Sequence, residues 1–336
     1  MDESAPTRRR VNAAGKPIRA IAVMNQKGGV GKTTTTANLG AALAERGRHV
    51  CLFDLDPQAH LTINFGIDPD GADGGEPITP SLYDLLLGEA TFLEAVRVLD
   101  KFPQSPGNVG VLPGSIDLAG VEAELAERPR KQMLLRDAVD DSAHDFEYLL
   151  IDCPPALGLL TLNALALADE LIIPMQPHFL AMQGMAKLIE TVQAVNEQIN
   201  PDLRVGGVVL TMFDANTKLS GEVVGELQNF FASAPEGHPC HGGVVFETRV
   251  RRNIKLAESP SFGEPITVYD TMSNGATDYR ALAAEILARH ADEMLTPEET
   301  AALQPDEPEP AAMVNTEIDQ AKLRAASFSD TPIGTG

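Results

Sequence analysis

Short apolar runs alternate with stretches of helical spacing along most of the chain. Residues 18–24 (IRAIAVM), 49–56 (HVCLFDLD), 108–114 (NVGVLPG), 148–155 (YLLIDCPP), 170–175 (ELIIPM) and 204–213 (RVGGVVLTMF) are the apolar runs. Runs this short and this continuous suit strands buried within a sheet. Between them, 32–46 reads as a helix closed by Gly47, and a helical stretch passes through Leu118, Val121 and Leu125. Residues 175–195 carry helical apolar spacing that includes Met182, Met185 and Leu188, as core or dimer surface, and a last helix spans about 275–295. Strand and helix in turn predict an α/β domain: a mostly parallel twisted sheet flanked by helices on both faces.

Three segments break the pattern. Residues 1–17 read as a disordered basic arm, with Arg8, Arg9 and Arg10 together. Residues 68–80 (DPDGADGGEPITP) form an acidic Gly/Pro loop without periodicity. Residues 296–336 read as a disordered acidic Pro/Ala-rich tail in which Pro305, Pro308 and Pro310 interrupt any apolar stripe. The folded domain is therefore expected over 18–295.

Composition bounds the class. The chain has 336 residues, 43% of them apolar, and no Trp, so its core is aliphatic and large enough for one sizeable α/β domain. The polar start is no secretory signal, and no apolar stretch approaches the roughly 20 residues of a membrane span. Three scattered cysteines, Cys51, Cys153 and Cys240, fit a reducing cytosol. The formal net charge of −22 argues against a polyanionic partner. Charge acts within about 8 Å in cellular salt, however, so local clusters decide. One exists: Arg249, Arg251, Arg252 and Lys255 fall within seven residues.

The chemistry concentrates in NQKGGVGKTTTTANL, residues 25–39. A glycine-rich loop after a strand and before a helix turns backbone N–H groups toward phosphate oxygens, and the helix N-terminus adds positive potential. Nucleotide contacts are expected from Lys27, Gly28, Gly29, Val30, Gly31, Lys32, Thr33 and Thr34. Lys32 reaches toward the β- and γ-phosphates, and Thr33 offers its hydroxyl to Mg²⁺. Gln26 occupies the first-glycine position of the strict pattern. Asp152, at the end of YLLI, has the form of a Walker B metal carboxylate. Asp54 and Asp56 end the neighbouring strand two residues apart, so both can face the nucleotide. HPCH (238–241) has no second ligand pair and reads as loop.

These residues resemble the ParA/Soj family of deviant Walker A ATPases, within the MinD/ParA superfamily of P-loop NTPases, which partition chromosomes and plasmids. KGGVGKTTT carries the family's signature lysine at Lys27. DLDPQ (54–58), SLYDLLLGEA (81–90), PGSIDLAGVEAEL (113–125), DCPPALGLLTLNALALAD (152–169), LTMFD (210–214) and RNIKLAESPSFGEPI (252–266) continue the likeness over about 18–290.

The resemblance implies a weak ATPase that uses ATP and Mg²⁺ and dimerises face to face on ATP. Lys27 would reach the partner's phosphates, Asp56 would orient the attacking water, and Asp54 and Asp152 would organise the metal shell with Thr33. Met212 of TMFD and Asn253 fall where the family builds its adenine pocket, although Arg251 replaces the proline of the usual IPRN. Lys218, Arg249, Arg251, Arg252 and Lys255 would hold DNA non-specifically, Asn216 standing where an arginine is common. A ParB-like centromere-binding partner would stimulate hydrolysis on the nucleoid, in the cytoplasm. The alternative is a MinD-like membrane-positioning ATPase, which needs a basic amphipathic C-terminal helix that this tail does not offer. Electron-transfer relatives need paired cysteines, and no C-x-x-C is present.

Overall fold

The computed structural model describes residues 10–71, 78–99, 105–178, 181–214 and 218–292. The chain divides into two units, Met1–Ala288, which holds the sheet, and Arg289–Gly336, of which residues 289–292 are described and helical. The expected tail, 296–336, and the first nine residues of the expected arm lie outside the described residues.

Eight strands form one sheet: β1 (Arg19–Val23), β2 (Val50–Asp54), β3 (Arg97–Val98), β4 (Val109–Leu112), β5 (Tyr148–Asp152), β6 (Glu170–Met175), β7 (Arg204–Phe213) and β8 (Val244–Arg251). Their order is β3-β4-β2-β5-β1-β6-β7-β8. All pairings are parallel except β3 with β4. The helices are α1 (Lys32–Glu45), α2 (His60–Asn64), α3 (Leu82–Leu87), α4 (Phe92–Ala95), α5 (Val121–Glu124), α6 (Leu134–Asp140), α7 (Leu159–Leu167), α8 (Ala181–Gln198), α9 (Lys218–Ala232), α10 (Lys255–Glu258), α11 (Ile266–Tyr269) and α12 (Asn274–Asp292).

Alternation along the strands builds two cores, one on each face of the sheet. Ala20, Ala22, Cys51, Phe53, Leu149 and Ile151 join a cluster with residues of α3, α6, α7, α8 and α9. The intervening Ile21, Val50, Leu52, Tyr148 and Leu150 join a second cluster with α1 and α12. Side chains two apart share a face, so a strand buried on both faces must be apolar throughout. This is why the six expected strands were visible as unbroken runs.

Both strands that the apolar pattern misses, β3 and β8, lie at the edges of the sheet. β8 interleaves Glu247, Arg249 and Arg251 with apolar residues and has the polar character of an exposed edge. The cationic cluster therefore spans the end of β8, the turn after it and the start of α10.

The domain also begins earlier than 18. Residues 10–17 pack against it rather than forming a free arm. Val11 bridges Pro17 antiparallel, and the Arg10 guanidinium donates to Leu167 O at 2.6 Å and pairs with Asp140 and Asp169. Asn12 donates to Asp145 O, and Lys16 pairs with Glu147 at 2.9 Å. Composition alone reads these polar residues as solvated; partners more than a hundred positions away order them.

Candidate active site

β1 ends at Val23 in the middle of the sheet, and the chain turns through the glycine loop into α1. Gly31, the N-cap of α1, has φ 88°, a left-handed conformation costly for a residue with a Cβ. α1 has no side-chain cap and no acidic residue in its first turn. Its leading N–H groups are left for an external anion. Neighbouring strand ends brace the loop. Thr211 Oγ donates to Val30 O at 2.8 Å, Gln176 Nε2 to Gly29 O at 3.0 Å, and Asn25 Nδ2 to Pro174 O at 2.8 Å. Asn25 Oδ1 in turn accepts from Lys27 N.

The two lysines occupy unlike environments. Lys32 is buried at 9% exposure, whereas Lys27, Gly28 and Gly29 are exposed at the mouth of the loop. Lys27 Nζ lies 2.5 Å from His178 Nε2, which extends from the end of β6. A buried lysine inside the loop and an exposed one at its rim can serve different phosphates.

Asp54 and Asp152 are register partners at the C-terminal ends of β2 and β5, and Val23 of β1 is aligned with Asp152 on the other side. Both carboxylates are fully buried. Asp54 Oδ2 accepts from Thr62 N and Thr62 Oγ, each at 2.7 Å, while Oδ1 has no partner. Thr62 Oγ also accepts from Gly114 N at 3.0 Å; a Cβ on Gly114 would stand 2.7 Å from Asp54 O, so glycine is required there. Thr36 Oγ lies 3.4 Å from Asp152 Oδ1, and Asp152 Oδ2 is unpartnered.

Burial, against the Thr62 hydrogen bonds, pushes Asp54 up to about 6. Burial, then the charge of Asp54, drives Asp152 well above the carboxylate range, opposed by the nearby Thr33 hydroxyl and the charge of Lys32. The charge of Asp56 raises both. The structure thus brings Lys32, Thr33, Asp54, Asp56 and Asp152 together.

Two orphaned carboxylate oxygens on adjacent strands, beside a hydroxyl, are hard donors that fit a divalent cation needing further ligands from phosphate and water. No group of three or more His, Cys, Asp or Glu among the described residues could hold a metal alone. In the HPCH turn, His238 Nδ1 accepts from Cys240 N at 3.1 Å. Asp56 is half-buried on the turn after β2 and accepts from Gln58 N through Oδ1.

Met212 has a left-handed backbone (φ 48°) and lines a cleft of about 700 Å³ with Phe213, Asp214, Arg249, Arg251 and Arg252. The cleft thus joins residues expected at the base to residues expected at DNA. Asn253 lies in the turn before α10, its Oδ1 accepting from Lys255 N. The cations are partly engaged. Arg251 pairs with Asp278 at 2.6 Å, Lys255 with Glu258 at 2.8 Å, and Arg249 lies over the Phe213 ring and donates to Phe246 O. Arg252 is exposed. Lys218 opens α9, but its side chain, like Asn216, lies outside the described residues.

Sequence reasoning missed Thr62, Gln176, His178 and Asp278. Gln176 and His178 had a usable signal: sites gather where strands of a parallel sheet end, and β6 borders β1. Thr62 and Asp278 had none, because tertiary contact alone assigns their partners.

A sequence profile described as an AAA domain matches residues 18–205. The chromosome partitioning protein ParA of Myxococcus xanthus is 41% identical over 81% of this chain and 88% of its own length. The sporulation initiation inhibitor protein Soj of Bacillus subtilis is 40% identical over 80% of this chain and 98% of its own. Among solved structures, the cobyrinic acid a,c-diamide synthase of Mycobacterium smegmatis, with a bound ATP analogue and magnesium, superposes with a TM-score of 0.65. It is 36% identical and covers 82% of this chain and 96% of that one. The septum site-determining protein MinD of Pyrococcus horikoshii, complexed with Mg-ADP, shares the fold at 24% identity and a TM-score of 0.61, over 83% of this chain and all of that one. Different activities are thus attached to one fold, and the curated relatives at about 40% identity, matched over nearly their whole length, decide between them. The chain belongs to the ParA/Soj family of chromosome-partitioning P-loop ATPases.

Proposed function

We propose that this chain is an ATP-dependent dimerising switch that binds DNA without reading its sequence and partitions a chromosome, plasmid or other cargo. The carrying observation is the pair of lysines, Lys32 buried within the phosphate loop and Lys27 exposed at its rim. Lys32 and the N–H groups of 28–34 hold this subunit's phosphates; Lys27 crosses to the phosphates of a second copy. Such an interface is stable only while the γ-phosphate is present to offset the approaching cations. Thr33, Asp54 and Asp152 would hold Mg²⁺, which when bound neutralises phosphate charge and acts as a Lewis acid.

Asp56 orients the water for a slow hydrolysis that returns the dimer to monomers. It is the least buried of the three carboxylates and accepts a backbone N–H through one oxygen, so it can meet solvent while Asp54 and Asp152 cannot. Asp56→Ala is expected to lower turnover about 10²–10⁴-fold, the usual contribution of a positioned acid–base group, and to prolong the ATP dimer. Normal phosphate release by the variant would remove Asp56 from this role.

Arg249, Arg252 and Lys255, with Lys218, supply phosphate contacts that position DNA without specifying it. Dimerisation doubles the patch, and a ParB-like partner on the cargo accelerates hydrolysis and release. The setting is the nucleoid; among the described residues no helix is long and apolar enough to cross a membrane. Co-sedimentation with non-specific DNA in ATP and in ADP across a salt series tests the reading. Retention in ATP alone, falling steeply with salt, is expected. Arg252→Glu with Lys255→Glu should abolish retention while the ATP dimer persists. Retention equal in ADP, or surviving both charge reversals, would overturn it.

A further inference from the structure

The rim of the phosphate loop is moored to the end of β6 at three points. Asn25 Nδ2 donates to Pro174 O at 2.8 Å, Gln176 Nε2 to Gly29 O at 3.0 Å, and Lys27 Nζ meets His178 Nε2 at 2.5 Å. The first two moorings tie backbone to backbone-facing amides and shape the loop. The third holds a side chain, and it is the one charged side chain between residues 25 and 31. His178 is itself fixed, because its N donates to Gln176 O at 2.9 Å and so places the ring on a tight turn beside the Gln176 brace. An ammonium has three N–H donors and no acceptor, so the ring must accept through Nε2 and carry its proton on Nδ1. One donor of Lys27 is used in this way, and two remain for phosphate oxygens.

A lysine at an exposed rim loses much rotamer freedom when it is fixed, because its ammonium ends a flexible four-carbon stem. Lys27 is exposed, and it shares a short loop with the groups that face its own subunit's phosphates. Left free, its side chain would spread over many rotamers, those turned back onto those phosphates among them. The contact with His178 draws it toward the end of β6 instead. A neutral ring orients the ammonium and leaves its full positive charge for the anion it is to meet. We propose that His178 is a positioning residue for Lys27: it holds the ammonium at the rim, two donors free, ready for the phosphates of a second subunit, and so sets how readily the ATP dimer forms. The proposal rests on the cross-subunit reading of Lys27 above.

Two measurements on the full chain test the contact and its consequence separately. In nitrogen NMR of the histidine-labelled, nucleotide-free protein, the resonances that His178→Gln removes should show a protonated Nδ1 and an unprotonated Nε2. Lys27→Ala should abolish that preference. The Kd of the dimer formed with Mg²⁺ and a non-hydrolysable ATP analogue should rise about ten- to a hundredfold in His178→Leu, which has no acceptor. That is about three- to tenfold for each lysine released, counted twice by two-fold symmetry. His178→Gln, whose Oε1 can accept at a similar reach, should stay within about threefold of the wild type. ADP affinity, which involves no second subunit, should change less than about twofold in both variants. A protonated Nε2 in the wild type, a His178→Leu dimer as tight as the wild type, equal losses for the two variants, or a matching fall in ADP affinity overturns the positioning role. A Lys27→Ala chain that dimerises like the wild type overturns the cross-subunit reading itself, and the positioning role with it.

Discussion

Lys27→Ala should still bind ATP yet fail to form ATP-dependent dimers. In the single subunit Lys27 contributes nothing to the buried floor of the loop. Its side chain is exposed and its ammonium meets only the His178 ring among the contacts described for it. Lys32, the braces at Val30 and Gly29, and the uncapped start of α1 all survive its removal. ATP affinity in the monomer should therefore change less than about threefold. The proposed dimer is different, because in it each face-to-face contact would carry a Lys27 toward the other subunit's phosphates. Truncating one partner of a desolvated charge pair costs about 2–5 kcal/mol, at least about 30-fold in dissociation constant. Two-fold symmetry applies the loss twice. Light scattering with ATP should report a monomer at concentrations where the wild type is dimeric, and DNA retention should vanish with it. Lys32→Ala is the control, since it should lose ATP binding outright. An unchanged ATP dimer in Lys27→Ala would sink the cross-subunit role.

What could be read from the chain and what could not follows a physical division. β1, β2, β4, β5, β6 and β7 are buried, so burial itself writes them as apolar runs. The edges β3 and β8 face solvent, and the same rule renders them as charged, irregular segments. The phosphate loop was legible because its chemistry is local: glycines, one lysine and one threonine within a few residues, at a strand-to-helix turn. Asp54 and Asp152 were legible because parallel strands end together. The parts that tune them were not. Thr62, which occupies one oxygen of Asp54, lies on the following short helix, and Asp278, which clamps Arg251, lies 27 positions away on α12. Arg10 and Lys16 likewise find acidic partners only after folding, so the residues just before 18 belong to the packed domain. Networks assembled by topology have no short-range period, and no sequence pattern announces them.

The buried carboxylates should also make the nucleotide-free protein less stable at neutral pH than its packing warrants. Asp54 ionises at about 6 in the folded protein against 3.8 as its ordinary value. A raised value means that the folded state holds the proton more tightly, so this group favours folding at low pH. That contribution is complete below about 3.8 and is lost as pH rises through about 6. The difference corresponds to about 3 kcal/mol at neutral pH, and Asp152, raised for the same reason and by the charge of Asp54, acts in the same direction. Asn at 54 can still accept from Thr62 through its carbonyl oxygen but carries no charge to desolvate.

Asp54→Asn should therefore be more stable than the wild type by about 2–3 kcal/mol at pH 7.5 without nucleotide, a gain that shrinks to nothing near pH 4. Other carboxylates titrate over the same range in both proteins except Asp152, which loses the upward push of the Asp54 charge, so the difference between the two unfolding curves reports Asp54 together with its coupling to Asp152. Adding Mg²⁺ and ATP should reverse the ranking, because only the wild type offers both orphaned oxygens as charged ligands. A stability cost carried by the empty site and relieved by its ligand is the expected relation between function and stability at a binding centre. A difference independent of pH would show that the Asp54 carboxylate is not desolvated as its burial requires. A variant stabilised by Mg²⁺ and ATP as strongly as the wild type would exclude Asp54 from the metal shell.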